Sequence, residues 1–153
     1  MDASAEPRRR HILIVCYGNI CRSPTAEARL RRELERAGLG SAWSVSSAGV
    51  GALEGRPAAS GAVQAAAADG LALADHRARQ LTPEIAATAD LIVAMDDFVE
   101  DQILHLVGDV PVEVWPVPDP FGGPDEGYQR AYRDIAAHVT RFVADLERGA
   151  RAG

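Results

Sequence analysis

Hydrophobic positions along this chain fall into two alternating rhythms. HILIVCY (11–17) is a continuous, β-branched apolar run, the pattern of a strand buried on both faces. Helix formers then run from Pro24 through Ala37. Pro24 suits a first turn, where its missing N–H is not needed, and Gly38 suits the stop. WSVSSAG (43–49) reads as a second strand, and Ala58 to Asp69 as an alanine-rich helix ending near Gly70. Thr82 has the character of an N-cap, with Pro83 at the first helical position and Glu84 next. DLIVAM (90–95) is a third buried strand, Phe98 to Val107 a short helix ending at Gly108, and VEVWPV (112–117) a fourth strand. From Glu126 to Glu147, Tyr128, Ala131, Tyr132, Ile135, Val139, Phe142, Val143 and Leu146 recur at helical spacing and form one apolar stripe.

Strands separated by helices imply right-handed crossovers and a parallel sheet covered on both faces. The expected fold is therefore an α/β three-layer sandwich with a four-stranded parallel sheet. Such sheets bind ligands beyond the carboxyl ends of their strands. The chain of 153 residues is read as one domain over 11–147. Residues 1–10, polar and rich in arginine, read as a flexible solvated arm, and 148–153 as a frayed tail.

Composition narrows the function classes. The net charge of −6 argues against a general binder of nucleic acid or anionic membrane, though not against a small basic pocket. All 16 basic residues are arginine, which reads as base composition rather than function. The apolar run 12–17 is too short for a secretory leader, and no small-residue cleavage site follows it. The expectation is a cytoplasmic protein, with leaderless export left open. Two cysteines in such a chain do not make a disulfide framework.

Those two cysteines lie in VCYGNICRSP, Val15 to Pro24, where the first strand meets the first helix. A strand, a tight loop and a helix N-terminus together make an anion site: loop amides and the helix's first orphan N–H groups point inward, and the dipole adds positive potential. Gly18 is expected to allow close backbone approach or positive φ, and Asn19 tolerates left-handed geometry. Arg22 offers a planar fork matched to two phosphate oxygens. Such a field favours a thiolate at the loop's start, which makes Cys16 a candidate nucleophile beneath a bound phosphate. A lone cysteine ending a buried strand is more often plain core. The Cys-x5-Arg spacing followed by Ser-Pro at a strand–helix junction points to function instead. Two cysteines and four scattered histidines do not form a zinc set, and a dithiol oxidoreductase expects Cys-x-x-Cys.

Phosphoryl transfer also needs a proton donor for the leaving group. Asp119, in PVPDPFGG, follows the fourth strand and so reaches the same sheet edge. Prolines on both sides restrict its backbone and hold the carboxylate in place. A Pro-Asp-Pro turn without chemistry is common in loops. Its placement opposite a Cys-x5-Arg loop makes it the candidate general acid. Asp96, in VAMDD, reads as a strand end and helix cap and is left outside the site. His11, His105 and His138 show no comparable context and read as structural or exposed.

These residues resemble the low-molecular-weight protein tyrosine phosphatase family. The family's loop runs V-C-x-G-N-I-C-R-S-P, matched by VCYGNICRSP, and its acid loop is Asp-Pro-aromatic, matched by Asp119-Pro120-Phe121. SSAGV (46–50), DHRARQLT (75–82) and VAMD (93–96) are also family-like. The resemblance implies a phosphotyrosine protein phosphatase I-like fold. It implies that Cys16 forms a phosphocysteine and that Arg22 stabilises the equatorial oxygens. Phosphate would be held by the loop Cys16, Tyr17, Gly18, Asn19, Ile20, Cys21, Arg22 and Ser23. Asp119 would protonate the leaving atom and then assist water, and Ser23 would ease the thiolate's departure. Asn19, Ser47 and His76 match a network that holds the loop in shape. Cys21 would protect Cys16 through a reversible disulfide. No metal or cofactor is implied, and the implied partners are phosphorylated proteins and oxyanions.

Substrate choice rests on a few positions. Many tyrosine phosphatases carry two aromatics after Asp-Pro, but Phe121 is followed by Gly122-Gly123, and GALEGRPAA (51–59) supplies no aromatic wall. These features look like the bacterial branch that includes protein arginine phosphatases. That branch places threonine where this loop has Ile20, and Ile20 is the residue usual in tyrosine phosphatases. Phosphotyrosine is the expected substrate, with Ile20 and Phe121 in its pocket, and phosphoarginine is the alternative. Arsenate reduction would require further cysteines. A non-catalytic phosphopeptide-binding module would fit loss of Cys16, Arg22 or Asp119, and all three are present.

Overall fold

The computed structural model describes residues 9–149. Along it run β1 (Arg10–Cys16), α1 (Arg22–Arg36), β2 (Trp43–Gly49), α2 (Ser60–Ala67) and α3 (Pro83–Ala86). They are followed by β3 (Leu91–Ala94), α4 (Asp97–Leu104), β4 (Val112–Val114) and α5 (Asp125–Glu147). The four strands form one all-parallel sheet in the order β2-β1-β3-β4.

β1 is central, and its side chains alternate between two cores. Ile12, Ile14 and Cys16 join Ala26, Leu30, Leu34, Ile135 and Phe142 in the layer of α1 and α5. Leu13 and Val15 join Ala86, Val99 and Ile103 in the layer of α3 and α4. This double burial is why 11–17 is apolar throughout rather than alternating. Ala26, Leu30 and Leu34, four residues apart, put one face of α1 against the sheet, and Leu30 and Leu34 are wholly buried. Each of those leucines contributes roughly 1.5–3 kcal/mol relative to exposure. α2 packs its alanine face against the side of α5 that carries Tyr128 and Tyr132. Gly61 allows this approach, since a Cβ there would lie 2.4 Å from the Tyr128 ring.

The expected sandwich is therefore present, with three local differences. α1 opens at Arg22, two residues before Pro24, so the arginine and Ser23 belong to its first turn. β4 stops at Val114 rather than at residue 117. The next residues still follow β3, with Trp115 N–H donating to Ala94 O and Val117 N–H to Met95 O. Pro116 and Pro118 fall at the alternate positions, whose N–H would point away from β3 on this edge strand, and the chain stays extended toward Asp119. Arg10, assigned to the arm from sequence, opens β1 opposite Trp43, and the Arg9 guanidinium donates to the Gly40 and Trp43 carbonyls. The rest of the arm, 1–8, and the tail from 150 lie outside the described residues.

β1 has β2 on one side and β3 on the other, so successive connections leave it in opposite directions. A crevice forms at such a switch point, beyond the carboxyl ends of the strands. The Cys16–Arg22 loop lies there. Its far wall is the end of β2, where Gly49 is packed so tightly that a Cβ would meet Tyr17 O at 2.5 Å and Asn19 N at 2.9 Å. No helix among the described residues is long and apolar enough to cross a membrane.

Candidate active site

The loop is held by one residue more than any other. Asn19 is fully buried and has φ of 58°, the left-handed conformation that asparagine tolerates best after glycine. Gly18, the other position expected to need freedom, does not carry positive φ, and a Cβ there would make an ordinary 3.6 Å contact with Ile20. Asn19 Nδ2 donates to Ser23 Oγ at 2.8 Å and to Ser47 Oγ at 3.0 Å, while its Oδ1 accepts from Arg79 N–H. Its carbonyl accepts from His76 Nε2 at 2.6 Å, which fixes the proton of that ring on Nε2. Ser47 passes its own hydrogen to Glu27 Oε1. The segment 75–82 reaches the loop by bridging to β2, with Gly49 N–H donating to Arg79 O and Leu81 N–H to Gly49 O. Asn19, Ser47 and His76 are thus brought together as expected. Arg79 and Glu27 complete the network, and the sequence reading missed both.

This network determines where the Ser23 proton goes. Ser23 Oγ already accepts from Asn19, so its hydroxyl hydrogen is free for Cys16 Sγ, 2.9 Å away. Asn19 N–H also approaches that sulfur, at 3.3 Å. Two hydrogen-bond donors thus converge on one buried sulfur. α1 begins behind it without a side-chain cap, leaving its first amides free to serve the loop.

Arg22 is almost wholly buried. Its Nη1 donates to Asp96 Oδ2 at 2.8 Å and to the Val117 carbonyl at 3.0 Å. Its Nη2 lies 3.7 Å from Asp119 Oδ2, and its Nε has no hydrogen-bond partner among the described residues. Nη1 therefore anchors the guanidinium and leaves the Nε–Nη2 edge available to a ligand. That edge is the planar pair of donors that fits two oxygens of a phosphoryl group. The sequence reading left Asp96 outside the site, and the structure corrects this. One Asp96 oxygen accepts from Val99 N–H and caps α4, as expected, and the other holds Arg22. The signal was available: Asp96 lies just past β3, whose Ala94 pairs with Val15, so it reaches the same edge as Cys16.

Asp119 stands across the crevice from the loop. Its Oδ1 accepts from Phe121 N–H at 3.1 Å, forming a local turn, and its side chain remains 48% exposed, open to a substrate. Cys16, Arg22 and Asp119 line one cavity of about 180 Å³. Tyr17, Ile20, Leu53 and Phe121 form its apolar walls, and Gly51 and Arg56 contribute on the β2 side. The segment after β2 thus supplies Leu53 and Arg56 rather than an aromatic wall. The aromatic surface comes from Tyr17 and Phe121, both about half exposed.

Both cysteines are free and buried. Cys21 is pushed up to about 12, first by burial and then by the negative charge of Asp119 and the proximity of Cys16. It therefore stays a neutral thiol at physiological pH. His11 bridges Ser44 Oγ and Ser46 Oγ far from the cavity, and burial lowers its pKa. His138 stacks on Trp115 and is lowered by burial as well. Among the described residues no cluster of three or more metal-ligating side chains occurs.

Known proteins are similar to this chain in sequence and fold. The family profile described as low molecular weight phosphotyrosine protein phosphatase matches residues 11–152. A curated relative from Ralstonia nicotianae, EpsP, is 48% identical over 92 residues, 60% of this chain and 59% of its own, so less than two thirds of that relative is spanned. The tyrosine phosphatase Wzb of Escherichia coli K30, solved with sulphate, superposes with a TM-score of 0.83 at 30% identity, over 91% of this chain and 99% of Wzb. The YwlE arginine phosphatase, of Bacillus subtilis, superposes with a TM-score of 0.84 at 32% identity, over 90% of this chain and 95% of YwlE.

Proposed function

This chain belongs to the low molecular weight phosphotyrosine protein phosphatase family, and from that membership we propose that it hydrolyses phosphotyrosine in proteins through a phosphocysteine on Cys16. The observation that carries this reading is the Arg22 edge. A buried guanidinium, clamped by Asp96 through Nη1, keeps Nε without a partner among the described residues and lines the same cavity as Cys16.

In the first step Cys16 Sγ attacks phosphorus in line with the departing phenolic oxygen. The S–P bond forms, the P–O bond breaks, and Asp119 gives its proton to the leaving oxygen. Charge on the three equatorial oxygens is met by Arg22 and the loop amides, an electrostatic task that dominates phosphoryl transfer. In the second step Asp119, now a carboxylate, takes a proton from water as the water oxygen attacks phosphorus. The thiolate leaves, eased by the hydrogen bond from Ser23. Asn19, Ser47 and His76 keep the loop in the shape both steps need. No metal or cofactor enters this scheme, and the partners are phosphorylated proteins. Two free thiols support a cytoplasmic setting.

Phosphotyrosine is favoured over phosphoarginine by the walls. Ile20, Tyr17, Leu53 and Phe121 suit a phenyl ring, whereas a guanidinium would face Arg56 and find one lining carboxylate, Asp119, among the described residues. The similarity to YwlE keeps phosphoarginine as the second reading. Matched phosphotyrosine and phosphoarginine peptides, assayed in EDTA, decide between them. Faster kcat/KM on phosphotyrosine is expected. Preference for phosphoarginine would transfer the assignment, and binding without turnover of either would make the protein a phosphopeptide-binding module.

Cys21 adds a protective step to this reading. When peroxide has converted Cys16 to a sulfenic acid, the Cys21 thiol attacks that sulfur, water leaves, and a disulfide forms. Peroxide-treated protein should recover activity in dithiothreitol. Equal irreversible loss in wild type and Cys21→Ser would remove Cys21 from this role.

A further inference from the structure

The cavity wall continues past its rim onto α4. Tyr17 lines the cavity and is half exposed. One side of its ring is set by Gly51, where a Cβ would come within 2.6 Å of the ring. Beyond Tyr17 lies Phe98, with ring centroids 6.3 Å apart and planes tilted by 47°. Phe98 sits in the first turn of α4, two residues after the Asp96 cap that also holds Arg22. It plays no part in the α4 core contacts, which come from Val99 and Ile103, and 58% of its surface is exposed. A large aromatic ring is therefore laid against the lip of the cavity without being needed to bury the helix.

We propose that Tyr17 and Phe98 form an apolar shelf for the substrate's flanking residue, so that Phe98 selects protein segments with an apolar side chain beside the phosphotyrosine. This rests on the phosphotyrosine reading above and adds to it a sequence preference around the modified residue. The reach is sufficient. An extended peptide advances about 3.3–3.6 Å per residue, so a side chain one or two positions from the phosphotyrosine covers up to about 7 Å. The Phe98 ring lies 6.3 Å beyond that of Tyr17, which already lines the cavity. Continuity decides against an independent docking patch, because Tyr17 is shared between cavity and shelf. The helix turn around the shelf is acidic, with Asp97, Glu100 and Asp101. The shelf therefore rejects acidic flanking residues, while the exposed Phe98 ring itself offers apolar contact.

Two phosphotyrosine peptides test this, identical except for leucine or glycine on both sides of the modified residue. The wild type, Phe98→Ala and Phe98→Trp are compared by kcat/KM on each. An aromatic contact of this kind gives about a three- to tenfold preference for the leucine peptide. Phe98→Ala should bring that ratio to about one, and Phe98→Trp should restore it. A wild-type ratio of about one, or a ratio unchanged in Phe98→Ala, overturns the shelf. Equal loss on both peptides overturns it as well, because Phe98 would then act merely as a prop for Tyr17. If the wild type hydrolyses neither peptide, the phosphotyrosine reading itself fails and the shelf falls with it.

Discussion

Replacing Cys16 by serine should lower turnover on the order of 10⁴- to 10⁶-fold, the scale seen when a covalent nucleophile is removed. The reason lies in what surrounds the sulfur. Ser23 Oγ and Asn19 N–H both approach it as donors. A thiolate gains from two donors, but a serine hydroxyl needs a base to take its proton. Neither of those neighbours accepts one, so the oxygen stays protonated and does not attack. The substitution is nearly isosteric at a site that is 2% exposed, so the fold should survive. Arg22 keeps its clamp on Asp96, and inorganic phosphate should still bind. Calorimetric titration with phosphate beside a kcat measurement separates the two effects. Residual turnover near wild type would mean another group attacks phosphorus.

Asp119→Ala should reduce kcat on a phosphotyrosine peptide by about 10²–10⁴-fold, the usual worth of a positioned acid–base group. The loss should depend on the leaving group. A phenolate such as p-nitrophenolate departs without a proton, so formation of the intermediate should slow less with p-nitrophenyl phosphate than with tyrosine. Hydrolysis of the intermediate still lacks its base, and the second step then limits turnover. Asp119 is exposed and held by one local bond from Phe121 N–H, so its removal costs little stability. Loss of equal size on both substrates, with no burst of p-nitrophenol, would show that Asp119 only orients Arg22.

Much of this site was legible before the fold was known, because its central chemistry is local. Cys16 to Ser23 lie in consecutive residues, and strand, loop and helix geometry follow from one short stretch. Asp119 was legible because flanking prolines mark an extended segment after a strand. What sequence concealed depends on pairings distant along the chain. The order β2-β1-β3-β4 sets Asp96 beside Arg22, 74 residues away, and no local pattern distinguishes that contact from an ordinary helix cap. Arg79 meets Asn19 across 60 residues because its segment bridges to Gly49 at the end of β2. Gly49 looked like a strand end, although its lack of a side chain lets the loop backbone close against β2. Phe98 has the helical spacing of a surface position, and its meaning appears once Tyr17 is placed next to it. The β4 boundary was overread because 115–117 stays extended and still donates to the β3 side from Trp115 and Val117, although the regular strand stops at Val114.

The account turns on a covalent phosphoryl group carried by Cys16, and this can be seen directly. Asp119→Ala is mixed with p-nitrophenyl phosphate and quenched in acid within one turnover. Intact-mass and peptide mass spectrometry then locate the phosphoryl group. The expected result is a mass gain of one phosphoryl group on the peptide containing Cys16, absent in a Cys16→Ser/Asp119→Ala double variant. Release of p-nitrophenol in a burst with no adduct, or an adduct on any other residue, would contradict it.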